Sequence, residues 1–195
     1  MHDKKGVVTL VLREIRIHGR GGQGGVTAAQ LIAEAAFREG KYVQAFPFFG
    51  AERRGAPVKA FARISDEPIL LRSQIYHPDY VIILDPALPE VIDVIEGLKE
   101  NGIIIVNSVK NPEKLGFNDF KVATVDATGI SLKLNLLVAG APVVNTPMLG
   151  AFVRATGEIK LESILAVIRE RWGDVEGELN ARAASLAYER LKMNW

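Results

Sequence analysis

Five glycines fall within seven residues in Gly19-Arg20-Gly21-Gly22-Gln23-Gly24-Gly25. Backbone this rich in glycine can turn sharply and come close to a ligand. Where such a turn opens a helix, the free N–H groups and the helix dipole together favour an anion such as a phosphate or carboxylate. Gly19, Gly21 and Gly24 also meet the dinucleotide spacing G-x-G-x-x-G. That reading requires an acidic residue closing the next strand, to hold a ribose. The next strand segment reads Tyr-Val-Gln-Ala-Phe-Pro-Phe, with no carboxylate before Glu52. A purely structural reading also stands: a tight turn whose glycines let a helix pack on a sheet. The loop alone leaves anion, partner and turn open.

A second candidate is Phe48-Phe49-Gly50-Ala51-Glu52-Arg53-Arg54-Gly55-Ala56-Pro57. Adjacent Arg53 and Arg54 are suited to bidentate contact with phosphate or carboxylate, and Glu52 could orient one of them. Taken alone, the run also fits a solvated charged loop tip. Aromatics beside arginines are a composition enriched at protein interfaces. Asp85 and Asp126 close expected strands, where open α/β sheets place ligands, although each could equally cap a loop. There is no Gly-x-Ser-x-Gly turn and no loop ending in Gly-Lys-Ser or Gly-Lys-Thr. No catalytic residue is assigned.

The composition narrows the chemistry further. With no cysteine, the chain forms no disulfide, has no thiol nucleophile and holds no thiolate-ligated iron–sulfur cluster. His2, His18 and His77 lack metal-ligand spacing, so no metal site is expected. The 24 Lys and Arg against 23 Asp and Glu leave a net charge of +1, which gives no bulk attraction for nucleic acid or anionic membrane. The apolar runs are too short to cross a bilayer, and charged residues precede them, so a cytoplasmic location is expected.

The elements that must position these loops can be read from periodicity. Residues 12–19 alternate, with Ile15 and Ile17 on one face and Arg16 and His18 on the other, as in a strand. After the glycine turn, residues 26–39 read as an alanine-rich helix that Gly40 stops. Residues 42–49 and 58–65 read as strands. Too few residues separate them for a crossover, so direct pairing must be antiparallel. Strands are expected at 80–85, 102–107 and 120–126, with an amphipathic helix at 89–101; strand–helix–strand units imply parallel pairing. Asn145-Thr146-Pro147 signals a helix start, with a polar cap before proline. Leu161, Ile164, Leu165, Ile168 and Trp172 form one helical stripe, and Leu179, Ala183, Leu186 and Leu191 another; Glu178 and Arg182 are spaced for an ion pair. The fold class expected is α/β, a three-layer sandwich with a mixed, mostly parallel central sheet and a helical C-terminal part. One domain is expected over 1–195, with a core at about 10–155 and the helical part at about 156–195.

Four segments in this order, Ile17-His18-Gly19-Arg20-Gly21-Gly22-Gln23-Gly24, Phe49-Gly50-Ala51-Glu52-Arg53-Arg54-Gly55, Val125-Asp126-Ala127-Thr128 and Asn145-Thr146-Pro147-Met148-Leu149-Gly150-Ala151, resemble the gamma subunit of pyruvate:ferredoxin oxidoreductase. The wider 2-oxoacid:ferredoxin oxidoreductase family oxidatively decarboxylates a 2-oxoacid, transfers the acyl group to coenzyme A and passes electrons to ferredoxin. The resemblance implies a subunit inactive alone. Its alpha, beta and delta partners would hold thiamine diphosphate and the iron–sulfur clusters, and ferredoxin would accept the electrons. It further implies that Gly19, Arg20, Gly21, Gly22, Gln23, Gly24, Glu52, Arg53 and Arg54 contact coenzyme A or dock on the catalytic subunits. The Phe-Phe-Gly-Ala-Glu-Arg-Arg-Gly-Ala-Pro form resembles the pyruvate type, whereas the glycine motif is shared with 2-oxoglutarate and branched-chain homologues. The rival reading is a free-standing module that binds NAD or FAD through the glycine loop.

Overall fold

The computed structural model describes residues 11–48 and 55–195. Strand β1 (Leu12–Arg20) shows the expected alternation and is buried on both faces: Ile15 and Ile17 enter one core, and Arg16 and His18 are buried on the opposite side. It turns through the glycines into helix α1 (Gly25–Arg38), whose Ala28, Ala29, Ala35 and Ala36 are fully buried. Small side chains there let the helix lie close to the sheet. The chain then leaves the helix at Glu39, and Gly40 adopts φ +82°, a left-handed conformation that glycine takes without penalty.

Strands β2 (Tyr42–Phe48) and β3 (Pro57–Ser65) pair antiparallel, as their short connection requires, and β3 pairs antiparallel with β1. On the other side of β1 come β4 (Tyr80–Ile83), β5 (Ile103–Asn107) and β6 (Lys121–Val125), all parallel to it. Helix α2 (Ala127–Lys133) follows, then a small hairpin of β7 (Leu137–Val138) and β8 (Ala141–Pro142). Helices α3 (Asn145–Thr156), α4 (Leu161–Trp172) and α5 (Asp174–Arg190) complete the helical part. Strand β9 (Lys192–Met193), which the periodicity does not announce, returns to pair antiparallel with β6. The sheet order is β2-β3-β1-β4-β5-β6-β9, and β2, β1, β4, β5 and β6 point the same way. The sheet is mixed and mostly parallel, as expected.

The α-helices gather on one face, where Ile15, Ile17, Ile82 and Ile105 of the strands meet Leu31, Phe152 and Ile168 of the helices. Each such side chain, wholly removed from water, contributes about 1.5–3 kcal/mol. Helices α3 and α5 cross with their backbones in contact, because a Cβ on Gly150 would lie 1.9 Å from the Ala184 carbonyl oxygen.

The opposite face differs from expectation. Residues 89–101 form no α-helix; a 3-10 turn at Leu88–Glu90 leads into further turns. Leu88 and Val94 still cover Val81, Ile83, Ile104 and Val106, so the apolar spacing was a burial signal without being a helical one. Two features prevent the helix. Arg16 captures the carbonyls of Val94 and Glu96, which a helix would need as acceptors. Gly97 sits at φ +70°, against the Tyr76 carbonyl oxygen, where a Cβ would approach to 2.1 Å. Two smaller expectations also change. Helix α3 begins at Asn145, so Pro147 falls in the first turn, where no helical acceptor awaits its missing N–H. Glu178 pairs with Arg169 across α4 and α5, at 2.6 Å, where the spacing had suggested Arg182.

Candidate functional site: the glycine turn and the cleft beside it

The parallel strands deliver their C-terminal ends to one edge of the sheet, and the glycine turn stands there. The Gln23 side chain folds back to accept from the Arg20 N–H at 2.7 Å, and the Gln23 N–H donates to the Arg20 carbonyl at 3.0 Å. Gly22 has φ +99° and Gly24 φ +77°, so two of the five glycines answer a backbone requirement. Gly24 meets a second requirement, since a Cβ there would lie 2.5 Å from Asn145 Nδ2 at the start of α3. A further glycine, Gly19, faces Leu84, with 3.1 Å between its notional Cβ and Leu84 Cδ1.

Arg20 ties this turn to its neighbours. Its Nε donates to Asp85 Oδ2 at 2.5 Å and its Nη1 to the Gly55 carbonyl at 3.2 Å, while the Gly21 N–H donates to the Ala56 carbonyl at 3.2 Å. Asp85 is therefore an ion-pair partner, and it also accepts from the Ala87 N–H. Asp126 caps α2 by accepting from the Gly129 N–H at 2.7 Å. Of the two roles open to these strand-end carboxylates, both take the structural one. Asn107, between them, donates to the Leu84 carbonyl at 2.9 Å and to Thr128 Oγ1 at 3.0 Å, lacing the strand ends together.

What the turn leaves unused is the N-terminus of α1. Among the described residues no side chain caps it, and its first turn holds no acidic residue. The Ala28 N–H bonds to the Gly24 carbonyl, but among the described residues the N–H groups of Gly25, Val26 and Thr27 have no acceptor. A 14-residue helix thus presents its positive end with three unpaired donors. This end opens on a cleft of about 410 Å³ whose far wall is the β7–β8 hairpin, Trp172 and Leu179. Asn145 and Asn180 add amide groups, and Glu176 is the one acidic lining residue. The arrangement can hold an anionic head at the helix end with an apolar body against the hairpin and Trp172.

Of the sequence candidates, Gly19, Arg20, Gly21, Gly22, Gln23 and Gly24 are brought together here. Glu52, Arg53 and Arg54 lie outside the described residues; the base of their loop, Gly55–Ala56, is bonded to the glycine turn. The hairpin wall, Trp172 and Asn180 were missed as site residues. Its turn had a signal, Ala139-Gly140, where both residues take positive φ (50° and 79°), as two-residue hairpin loops require. The sheet order also speaks to the dinucleotide reading. Strand β2 is separated from β1 by β3, so the end of the next strand does not lie beside the glycine turn, where a ribose-binding acid would have to be.

An α/β sheet of this order, with an uncapped helix start at a glycine turn, defines a domain class. The sequence profile described as pyruvate ferredoxin/flavodoxin oxidoreductase matches residues 14–190, and the chain belongs to that family. It is 55% identical over 181 residues to the pyruvate/ketoisovalerate oxidoreductases common subunit gamma of Thermococcus kodakarensis, covering 91% of this chain and 96% of that one. It is 54% identical over 179 residues to the pyruvate synthase subunit PorC of Methanothermobacter marburgensis, covering 92% and 97%. Among solved structures, the pyruvate oxidoreductase subunit PORC of Thermotoga maritima superposes with a TM-score of 0.81 at 43% identity, covering 94% of this chain and 99% of that one. The resemblance drawn from the four motifs and the expected fold class are both borne out.

Proposed function

We propose that the chain is the gamma subunit of a hetero-oligomeric 2-oxoacid:ferredoxin oxidoreductase, with pyruvate as the favoured substrate, and that its glycine turn holds phosphate of coenzyme A. The observation carrying this reading is the start of α1: among the described residues three N–H groups have no acceptor, the helix's own first turn holds no acidic residue, and the end faces a cleft with an apolar far wall. Arg53 and Arg54, outside the described residues, immediately precede Gly55, whose carbonyl accepts from Arg20, and in this reading they supply guanidinium groups for the same phosphates. Glu52 orients one of them, and Arg20, held by Asp85, fixes the turn.

Thiamine diphosphate supplies the decarboxylation chemistry and iron–sulfur clusters the electron path, both on alpha, beta and delta subunits that this chain joins; ferredoxin takes the electrons. A chain with no cysteine has no thiolates for a cluster, which supports that division. One relative is by its name a gamma subunit common to pyruvate and ketoisovalerate oxidoreductases, which supports placing the choice of 2-oxoacid in the partner subunits. The chain functions in the cytoplasm; among its described residues, no helix is long and apolar enough to cross a membrane.

Thr27→Glu tests the site without attacking the fold. Thr27 lines the cleft in the first turn of α1, where a carboxylate suits the helix dipole and is worth about 0.3–1 kcal/mol to folding. The same carboxylate repels phosphate. Complex assembled with this subunit is expected to keep its thermal stability and its subunits while the KM for coenzyme A rises roughly tenfold, a cost of about 1.4 kcal/mol. Arg53→Ala with Arg54→Ala is expected to act in the same direction. An unchanged KM in both variants, with assembly intact, would contradict the coenzyme A assignment; failure of the tagged chain to recover thiamine- and cluster-bearing partners would contradict the subunit assignment.

A further inference from the structure

On the sheet face opposite the helices, a second cleft of about 430 Å³ lies over β1 and β3. Its floor is Arg16, only 3% exposed. The guanidinium donates from Nε to His18 Nε2 at 3.0 Å, and from Nη2 to the carbonyls of Val94 at 3.2 Å and Glu96 at 2.6 Å. All three acceptors are neutral. Among the described residues, Nη1 has no acceptor and no carboxylate lies within ion-pair distance of Arg16. Lys59, lining the same cleft, likewise has no hydrogen-bond or ion-pair partner among the described residues. His18 stays neutral beside these two cations. Its Nε2 must accept from Arg16, and burial, then Arg16 and Lys59, push its pKa down to about 3.

Glu96 and Asp93 act on Arg16 only from beyond ion-pair distance, and its Nη1 donors, unpaired among the described residues, open on the cleft. Its two unused N–H groups are both on Nη1, so Arg16 can donate to one oxygen of a carboxylate while Lys59 serves the other. The walls are largely apolar, formed by Phe48, Phe61 and the exposed Tyr76, and His77 also lines the cleft. Glu96 lines the cleft and Asp93 lies near it, so Arg16, Lys59 and these two acids sum to no net charge, which suits a monoanion better than a phosphate dianion.

We propose that this cleft is a binding site for an organic carboxylate: its oxygens take the Nη1 donors of Arg16 and the Lys59 ammonium, and its apolar body lies against Phe48, Phe61 and Tyr76. The site is on the other face of the sheet from the cleft beside α1 and does not depend on the coenzyme A assignment. The carboxylate can belong to a small molecule or to an Asp or Glu side chain of a neighbouring subunit. The chemistry is the same.

The test uses benzoate as the probe, on the isotope-labelled full chain. The Arg16 Nε–H, fixed by its bond to His18, is the reporter. A saturable benzoate-dependent shift of this resonance and of the Phe61 amide is expected, with affinity weakened roughly tenfold by Lys59→Gln. The Lys59 ammonium has no partner among the described residues and its strand pairing is through the backbone, so that variant stays folded where Arg16→Lys is at risk. No saturable shift, or shifts confined to the glycine turn, would overturn the proposal. In the assembled complex, Lys59 acylation separates the two sources. Protection only in the presence of benzoate assigns a free carboxylate. Protection without benzoate, with a zero-length crosslink from Lys59 to an acidic residue of another subunit, assigns a side chain; protection without such a crosslink counts against the site.

Discussion

Replacing Gly22 and Gly24 separately by alanine separates two demands that the glycine turn makes on its residues. Gly22 sits at φ +99° with nothing within 4 Å of a notional Cβ, so alanine there meets backbone strain alone. An L-residue held in left-handed space costs about 1–2 kcal/mol. Gly24, at φ +77°, carries the same strain, but its Cβ would also come within 2.5 Å of Asn145 Nδ2 and 2.8 Å of Asn145 Cγ. Overpacking of this kind adds about 1–3 kcal/mol, because Asn145 is itself 6% exposed and has little room to withdraw. The expected costs are thus about 1–2 kcal/mol for Gly22→Ala and about 2–5 kcal/mol for Gly24→Ala. For a chain of this size that corresponds to about 2–8 °C and 4–20 °C in Tm. Urea unfolding of the two variants, and of each with Asn145→Ala, measures the coupling. Asn145→Ala forfeits a long 3.4 Å bond to the Gly24 carbonyl but removes the obstruction. Asn145→Ala should therefore restore part of the loss in Gly24→Ala and none of that in Gly22→Ala. Equal costs for the two alanines, or additivity of Gly24→Ala with Asn145→Ala, would refute the reasoning.

Three further expectations follow from buried groups and one helix crossing. His18 is depressed from about 6.5 to about 3, so the unfolded chain binds its proton first as pH falls. Stability is full above about pH 6.5 and declines by on the order of 4 kcal/mol toward pH 3; urea midpoints against pH should show this slope, and His18→Gln should flatten it. Tyr80 donates its hydroxyl to Glu158, and burial, then Glu158, raise its pKa above the ordinary 10. Its contribution is therefore complete below pH 10 and is lost as pH climbs beyond; Tyr80→Phe should cost about 1–3 kcal/mol at neutral pH and remove that alkaline decline. Gly150→Ala drives a Cβ onto the Ala184 carbonyl and should separate α3 from α5, lowering stability by about 1–3 kcal/mol or more; Gly157→Ala, at φ +67° with nothing within 4 Å of its added Cβ, should cost only backbone strain and leave the α3–α5 crossing intact.

Much of the architecture was legible because burial and backbone demand leave marks in single residues. The Ile15 and Ile17 alternation gave β1, the alanines gave α1, and the shortness of the connection between β2 and β3 dictated their antiparallel pairing. Residues 89–101 were misread because apolar spacing records what is covered and not how the backbone covers it. The deciding contact, Arg16 to the Val94 and Glu96 carbonyls, joins residues 78 and 80 positions apart. Similar distance hid the cleft. Asn145 reaches Gly24 across 121 positions, and the hairpin that walls the other side carries only the Ala139-Gly140 turn as a local signal. Asp85 shows the converse: a strand-end carboxylate is visible in sequence, but its use by Arg20 is a tertiary fact.

The start of α1 can be examined amide by amide. The N–H groups of Gly25, Val26 and Thr27 have no acceptor among the described residues, so their hydrogen exchange should be fast in the complex without coenzyme A. Exchange across residues 21–28 of the assembled complex, with and without coenzyme A, is the measurement that bears most directly on the central claim. Slowing of exchange at Gly25, Val26 and Thr27 on addition of coenzyme A is the result expected for phosphate seated on the helix end. Unchanged exchange in this segment, with protection appearing only in other subunits, would place coenzyme A elsewhere and leave the glycine turn a structural feature.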